Sequence, residues 1–433
     1  EYGEPLILHH GLPQLHEPQR YGEDHIMSTR QTDLGFLTVT FIVICLGCVS
    51  AETNSLLYPD PKHYFELCGN LENSRIRFTH DKTGNVAFLG GSITEMDGYR
   101  PLVCDTLKNR FPETQFNFIN AGIGSTCSTT GAFRLENDVL SYGRVDLLFV
   151  EFAVNDKGDA FHAARECIRG MEGIVRHARH NNPCMDIVFL YTTDPSSVSD
   201  FQNGITPMVI ASHHKVAAHY KVSDVYLARE IADLIKAEKL DWNQFGGVHP
   251  SLYGNTIYAK RIAKLFDLAW SKPLAENSEP EPYFMPKEPL DEYNYGQGRH
   301  IKYEQVYIIN DWEIGVPQWE NIDGTKEERF CQIPMLSAEK PGATLALSFS
   351  GTAVGVYVVA GLDAGMVEFS IDGKPLKKVD LYHPFSDAYH YPRTCIFDAD
   401  LDPGPHKLTL RVADTQNPAS TGHAARIISF VAN

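Results

Sequence analysis

The chain is poor in three features that point to common classes of partner. Basic residues are outnumbered: 38 Lys and Arg stand against 55 Asp and Glu, a formal net charge of −17. Nucleic acid and anionic lipid both need a basic face, so neither is expected as the main partner. Paired cysteines of the zinc-binding kind are scarce. Of nine cysteines, Cys45 and Cys48 lie in one apolar stretch near the start, and none of the others forms a CxxC pair. A zinc site of that type is unsupported, and no metal or organic cofactor is expected. Long apolar runs are scarce too. The stretch "LGFLTVTFIVICLGCV" is short for a membrane span, which needs about 20 residues. What remains reads as globular protein, 43% hydrophobic and 21% charged. At 433 residues it is too long for the usual single core, so two domains are expected.

Residues 1–26 are polar and rich in Pro and His, without helical or strand period. If Met27 is the start, they are a non-structural upstream segment. Met27 and Arg30 precede the apolar stretch, which runs into "VSA". A basic start, a short apolar core and small residues at −3 and −1 are the layout of a signal peptide, here over 27–51 with cleavage after Ala51. The protein is therefore expected to be secreted or periplasmic, with an uncleaved anchor as the alternative. A lipoprotein site at Cys48 is disfavoured, because Cys45 stands where an aliphatic residue is wanted. Export permits disulfides. Cys167 with Cys184 and Cys331 with Cys395 are candidate pairs, and buried free thiols are the equal alternative.

From Asn85 to Asp267 apolar runs alternate with amphipathic ones. "NVAFLG", "FNFINAG", "VDLLFVEFA", "MDIVFLYTT" and the start of "VSDVYLA" read as strands; "YRPLVCDTLKNRF", "AARECIRGMEGIVRHARH", "VIASHHKVAAHYK" and "YGNTIYAKRIAKLFDLAW" read as helices. Such alternation predicts an α/β domain over 52–271 with a parallel sheet and helices on both faces. Residues 272–299 are rich in Pro, Glu and Tyr and read as a linker, strapped on by its aromatics. After it come "ATLALSFSG", "AVGVYVVAG", "GMVEFSIDG" and similar β-branched or alternating runs, so 300–433 is expected to be an all-β, jelly-roll-like sandwich.

Sites on parallel sheets gather at the carboxyl ends of the strands. Four short stretches fall there: "GGSIT" with Ser92, "GIGST" with Gly124, "AVND" with Asn155, and "GGVHPS" with His249. Taken singly each is ordinary, since Ser92 could cap a helix and a lone histidine is more often structural. Taken together they suit acyl transfer. A serine hydroxyl needs a base, histidine serves at neutral pH, and backbone N–H groups with an amide side chain suit the oxyanion.

In these contexts the order Ser, Gly, Asn, His resembles the SGNH (GDSL-type) hydrolase family. "GGSIT" is similar to its first block, "GIGST" to the second, "AVND" to the third and "GVHPS" to the fifth, across roughly residues 84–268. The resemblance implies a three-layer α/β/α, flavodoxin-like fold. It implies Ser92 as nucleophile, His249 as base, and Ser92 N–H, Gly124 N–H and Asn155 as the oxyanion hole. Three positions depart from the pattern. Gly91 replaces the Asp before the serine, Ala153 replaces a Gly, and Gly246 stands where the family has an Asp three residues before its histidine. The nearest upstream acid is Asp241, which would need a folded-back loop to reach His249. Otherwise a backbone carbonyl supports a Ser–His dyad.

Other candidates read as structural. Glu151 and Asp156 sit on a buried strand and a loop, a poor glycosidase pair, which needs carboxyls about 5–10 Å apart. His213 and His214 point about 100° apart on a helix and are expected on a solvated face. Arg134 is expected to hold a loop. The aromatic stretch Tyr382 to Thr394, with Trp312 and Trp319, could stack on sugar rings or pack against the hydrolase. The functional expectation is an exported serine esterase removing short acyl groups, acetyl foremost, from carbohydrate hydroxyls. The substrate is a small acyl ester or an acetylated polysaccharide, and the oligomeric state is left open. The alternatives are a generic short-chain esterase or thioesterase, and a carbohydrate-binding protein with impaired catalysis.

Overall fold

A computed structural model describes residues 64–433; the signal segment and its cleavage point lie outside the described residues. Among the described residues no helix is long and apolar enough to cross a membrane.

The first sheet follows from the apolar runs. Its strands are β1 (Phe65–Glu66), β2 (Thr83–Gly90), β3 (Gln115–Gly122), β4 (Leu147–Glu151), β5 (Asp186–Leu190) and β6 (Ser223–Val225), in the spatial order β1-β6-β5-β4-β2-β3. β2 to β6 run parallel, and β1 closes the edge antiparallel to β6. Counting the parallel strands alone gives the order 2-1-3-4-5, the flavodoxin-like order that reverses direction beside the first strand. β4 is buried along its whole length, because helices cover both faces. The helix Tyr99–Arg110 shows how the pattern works: it buries Tyr99, Val103, Cys104 and Leu107, one stripe at helical spacing.

The later strands alternate as expected and form two antiparallel sheets. One runs Tyr391–Asp398, Val354–Ala360, Ala425–Ala432, Met335–Ala338, Glu313–Gly315; the other runs Lys377–Asp380, Met366–Ile371, Pro405–Val412, Thr344–Ser350, Tyr307–Asn310. Their inner faces share a core that includes Leu347, Val356, Val358, Phe369, Phe397 and Leu410. Strand Val354–Ala360 is buried on both faces. Val356 and Val358 enter the sandwich core, while Tyr357 and Val359 join the core of the α/β layer. The segment between the two regions is tied down by its aromatics and backbone. The Tyr283 hydroxyl donates to Asp186 Oδ1 (2.5 Å), the Tyr295 hydroxyl to Glu166 Oε1 (2.7 Å), and the Leu290 and Asp291 N–H groups to Glu172.

The described cysteines, Cys68, Cys104, Cys127, Cys167, Cys184, Cys331 and Cys395, are all free thiols, so neither candidate disulfide is formed. His213 and His214 correct the expectation of a solvated face. His213 Nε2 lies 2.8 Å from Asp156 Oδ2, and His214 Nδ1 lies 2.9 Å from Asp224 Oδ2. Their helix, Met208–Tyr220, is wedged between sheet and neighbouring helices, so both directions 100° apart meet protein, each with its own buried acid.

Arg134 is 1% exposed and cannot meet a substrate. Its guanidinium donates to Ala121 O (2.7 Å) and Gly90 O (3.0 Å) and pairs with Asp138 (2.9 Å). It thus ties together the carboxyl ends of β2 and β3. Arg134→Met removes these bonds, and Gly90 O keeps only the N–H of Ile123 (3.1 Å). Urea unfolding should show a loss of about 3 kcal/mol, while a loss below about 1 kcal/mol would contradict this bracing role.

Candidate active site

The position of Ser92, the expected nucleophile, is set by the glycines before it. β2 ends at Gly90, and the short helix Ser92–Glu95 begins immediately, with Gly91 as its N-cap residue. A Cβ on Gly91 would lie 2.2 Å from Asn155 Oδ1 and 2.7 Å from its Nδ2. The Asn155 amide therefore lies flat against the backbone next to Ser92. A side chain at position 91 would displace the Asn155 amide.

His249 arrives from the far end of the domain. Ser251 caps the helix Leu252–Ala269, its Oγ accepting from Gly254 N–H and donating to Gln244 O. Ser251 N–H bonds Phe245 O at 2.8 Å, and Asn255 Nδ2 donates to Pro250 O at 2.7 Å. This closed loop puts His249 Nε2 2.7 Å from Ser92 Oγ. Ser92 O–H donates to the imidazole when His249 carries its proton on Nδ1.

Among the described residues, no carboxylate stands behind His249. Asp241 caps the helix Trp242–Phe245, accepting from Gln244 N–H at 2.7 Å, and makes no bond to His249. Gly246 has φ +107°, and a Cβ there would lie 2.0 Å from Ser251 N. The loop that delivers His249 thus excludes any side chain at position 246. Among the described residues, Nδ1 of His249 takes no hydrogen bond. Partial desolvation of the ring holds its pKa below the ordinary imidazole value, and no acid opposes that. The ring is nevertheless exposed at its edge, so water can solvate the imidazolium.

The three expected oxyanion donors are unequally free. Ser92 N–H has no partner among the described residues. Asn155 Nδ2 gives one proton to Asp159 Oδ2 (2.8 Å) and keeps another. Gly124 N–H is engaged: it donates to Glu95 Oε2 at 2.7 Å. The other oxygen of Glu95 is held by Arg329, which also faces Glu327. For Gly124 to serve the oxyanion, Glu95 has to move aside. Glu95 is three residues after Ser92 in "GGSITE", one helical turn on, and that spacing was its sequence signal. Arg329 had none.

Glu151 and Asp156 both serve the scaffold. Glu151 is buried with its pKa raised by desolvation, and it accepts from Thr94 (3.0 Å) and Thr192 (2.6 Å). Asp156 accepts from Ser128 N–H and Oγ, both at 2.7 Å, and faces His162 and His213. Among the described residues, three groups each bring ligand-type atoms within reach of an ion: Cys127, Asp156 and His162; Asp156, Cys167 and His213; Glu66, His214 and Asp224. Asp156 and Asp224 are already committed to hydroxyl, amide and imidazole partners. The stretch from Tyr382 packs against the α/β layer: His383 Nε2 bonds Asp159 O, and Thr130 bonds Thr394. Trp312 is buried in the sandwich, and Trp319 packs against Arg426 and His390.

Residues 88–257 match the model of the GDSL-like Lipase/Acylhydrolase family. Two solved structures of a two-domain esterase active on acetylated mannans, one of them co-crystallized with mannopentaose, share the fold. Each has a TM-score of 0.68 over 86% of this chain; they are 20% and 21% identical and are covered over 97% and 98% of their own length. No curated protein matches the chain.

His249→Ala should lower kcat by about 10²-fold or more, the usual weight of a general base. Asp241→Asn should leave kcat unchanged, because asparagine caps a helix equally well; a large drop would make Asp241 the missing acid. With its pKa lowered, His249 stays neutral further into acid. The acid limb of kcat/KM should therefore fall below about pH 6.5, the ordinary imidazole value.

Proposed function

We propose that this chain, whose residues 88–257 match the GDSL-like lipase/acylhydrolase family model, is a serine esterase that removes acetyl groups from carbohydrate hydroxyls. The observation that carries this reading is the 2.7 Å contact between Ser92 Oγ and His249 Nε2.

The chemistry runs through that contact. Ser92 Oγ attacks the ester carbonyl while His249 Nε2 takes its proton. The oxyanion is met by Ser92 N–H and Asn155 Nδ2, with Gly124 N–H once Glu95 yields it. The imidazolium then protonates the departing sugar hydroxyl. Water, deprotonated by His249, releases acetate from Ser92. In this reading catalysis rests on a Ser–His dyad, with solvent instead of a carboxylate stabilising the imidazolium.

Support for carbohydrate comes from two directions. The similar two-domain esterase acts on acetylated mannans. The site here is also framed by polar groups of both regions, Glu95 and Asp159 with Arg329, Glu327 and Tyr389. Such groups suit a hydroxylated alcohol better than a lipid chain.

The test compares the protein and Ser92→Ala on an aryl acetate and on acetylated mannan and xylan. The expected result is release of acetate from at least one polysaccharide, reduced about 10⁴-fold or more in Ser92→Ala. Turnover of the aryl ester alone leaves a generic esterase. No turnover on any substrate overturns the esterase reading and leaves a binding protein.

A further inference from the structure

The Asn155 amide has two chemically different ends, and only the NH₂ end can stabilise an oxyanion. Which end faces Ser92 depends on what the amide meets on its other side. Asp159, one helical turn on, meets it there: Asn155 Nδ2 donates to Asp159 Oδ2 at 2.8 Å. An ionised carboxylate only accepts, so it selects the NH₂ end and leaves the second N–H for the site.

Asp159 is itself gripped by the sandwich. Tyr391 donates from its hydroxyl to Asp159 Oδ1 at 2.7 Å, and the Tyr391 hydroxyl oxygen also lies 3.2 Å from Ser125 O, in the block that carries Gly124. His383 Nε2 bonds Asp159 O at 2.7 Å, while its Nδ1 accepts from Phe385 N–H. This assigns the proton to Nε2. The two rings stack, centroids 4.1 Å apart and 7° from parallel, and both are buried.

We infer that Asp159, clamped by Tyr391 and His383, is a positioning residue that sets the Asn155 amide for the oxyanion, which makes the sandwich a working part of the catalytic centre. The inference rests on Ser92 acting as the nucleophile. Its consequence is a second titration beside that of His249. Burial raises the Asp159 carboxyl to about 6 and the charge of Asp156 adds to this, whereas the bonds from Tyr391 and Asn155 oppose it. His383 is pushed down to about 4 by burial and is neutral in this range. Asp156 stays ionised, its pKa lowered by His162 and His213 against its own burial. As pH falls through the Asp159 value, the carboxyl gains a proton, can donate, and no longer selects the NH₂ end.

Tyr391→Phe keeps the ring stack and removes one bond to the carboxylate. It should lower kcat about tenfold with KM unchanged and move the acid limb up by about one pH unit. Asp159→Ala should lose about 10²-fold in kcat, and Asp159→Asn should recover part of that while leaving only the His249 limb. A purely structural role would change the melting temperature and move neither limb nor kcat; that result in folded Tyr391→Phe overturns the inference. A second readout does not need turnover. In protein labelled with ¹⁵N-asparagine, the side-chain NH₂ signal that disappears in Asn155→Ala should titrate near pH 6 and higher in Tyr391→Phe. A pH-independent signal overturns the inference. Failure of wild-type turnover with a titrating signal overturns the esterase reading alone.

Discussion

Ser92 Oγ and His249 Nε2 lie 2.7 Å apart although 157 residues separate them along the chain, and the surrounding structure is organised by that contact. One side of it is a strand end. β2 is paired on both edges by parallel neighbours, and Arg134 binds the carbonyls where β2 and β3 stop. The other side is a helix start, with Ser251 closing the loop onto Gln244 and Phe245. A shift of about 1 Å at either support would break a hydrogen bond that, in the proposed mechanism, is also the proton path.

The same loop excludes an acidic third member at position 246 from the proposed site. A left-handed turn at Gly246 brings Ser251 N–H where a Cβ would have to be. The geometry that delivers His249 and the presence of an acid at position 246 are mutually exclusive. The consequence is a histidine with a lowered pKa on an exposed residue, which as the proposed base would depend on water once it has accepted a proton. The rest of the charge near the site is arranged around donors. Glu95 sits on Gly124 N–H, and Asp159 holds the Asn155 amide.

The parallel sheet was legible because a strand covered on both faces must be a near-continuous apolar run, as "LLFVE" is, and because such runs alternate with stripes at helical spacing. The sandwich was legible from the alternation in "MVEFSI". Ser92, Gly124, Asn155 and His249 stood out because each sits in a short local block at a strand end or just before a helix. Less was legible wherever two distant stretches meet. Tyr391 and Asp159 are 232 residues apart, and nothing local marks either as the other's partner. Asp159 alone could have been noticed, four residues after Asn155 and so on the same helix face. His213 and His214 were misread because a polar pair on a helix looks solvated unless the acids opposite are known. Gly246 appeared to be a lost acid, and only the position of Ser251 shows that the backbone requires a glycine there.

The central claim is that Ser92 is made nucleophilic by His249 with no carboxylate partner. Intact-mass spectrometry with an arylphosphonate tests it directly, because such a reagent traps an activated serine and leaves an unactivated one untouched. The account predicts one adduct per chain, mapped to Ser92, forming more slowly as pH falls and at an unchanged rate in Asp241→Asn. An adduct elsewhere, none at all, or one that vanishes with Asp241→Asn would contradict it.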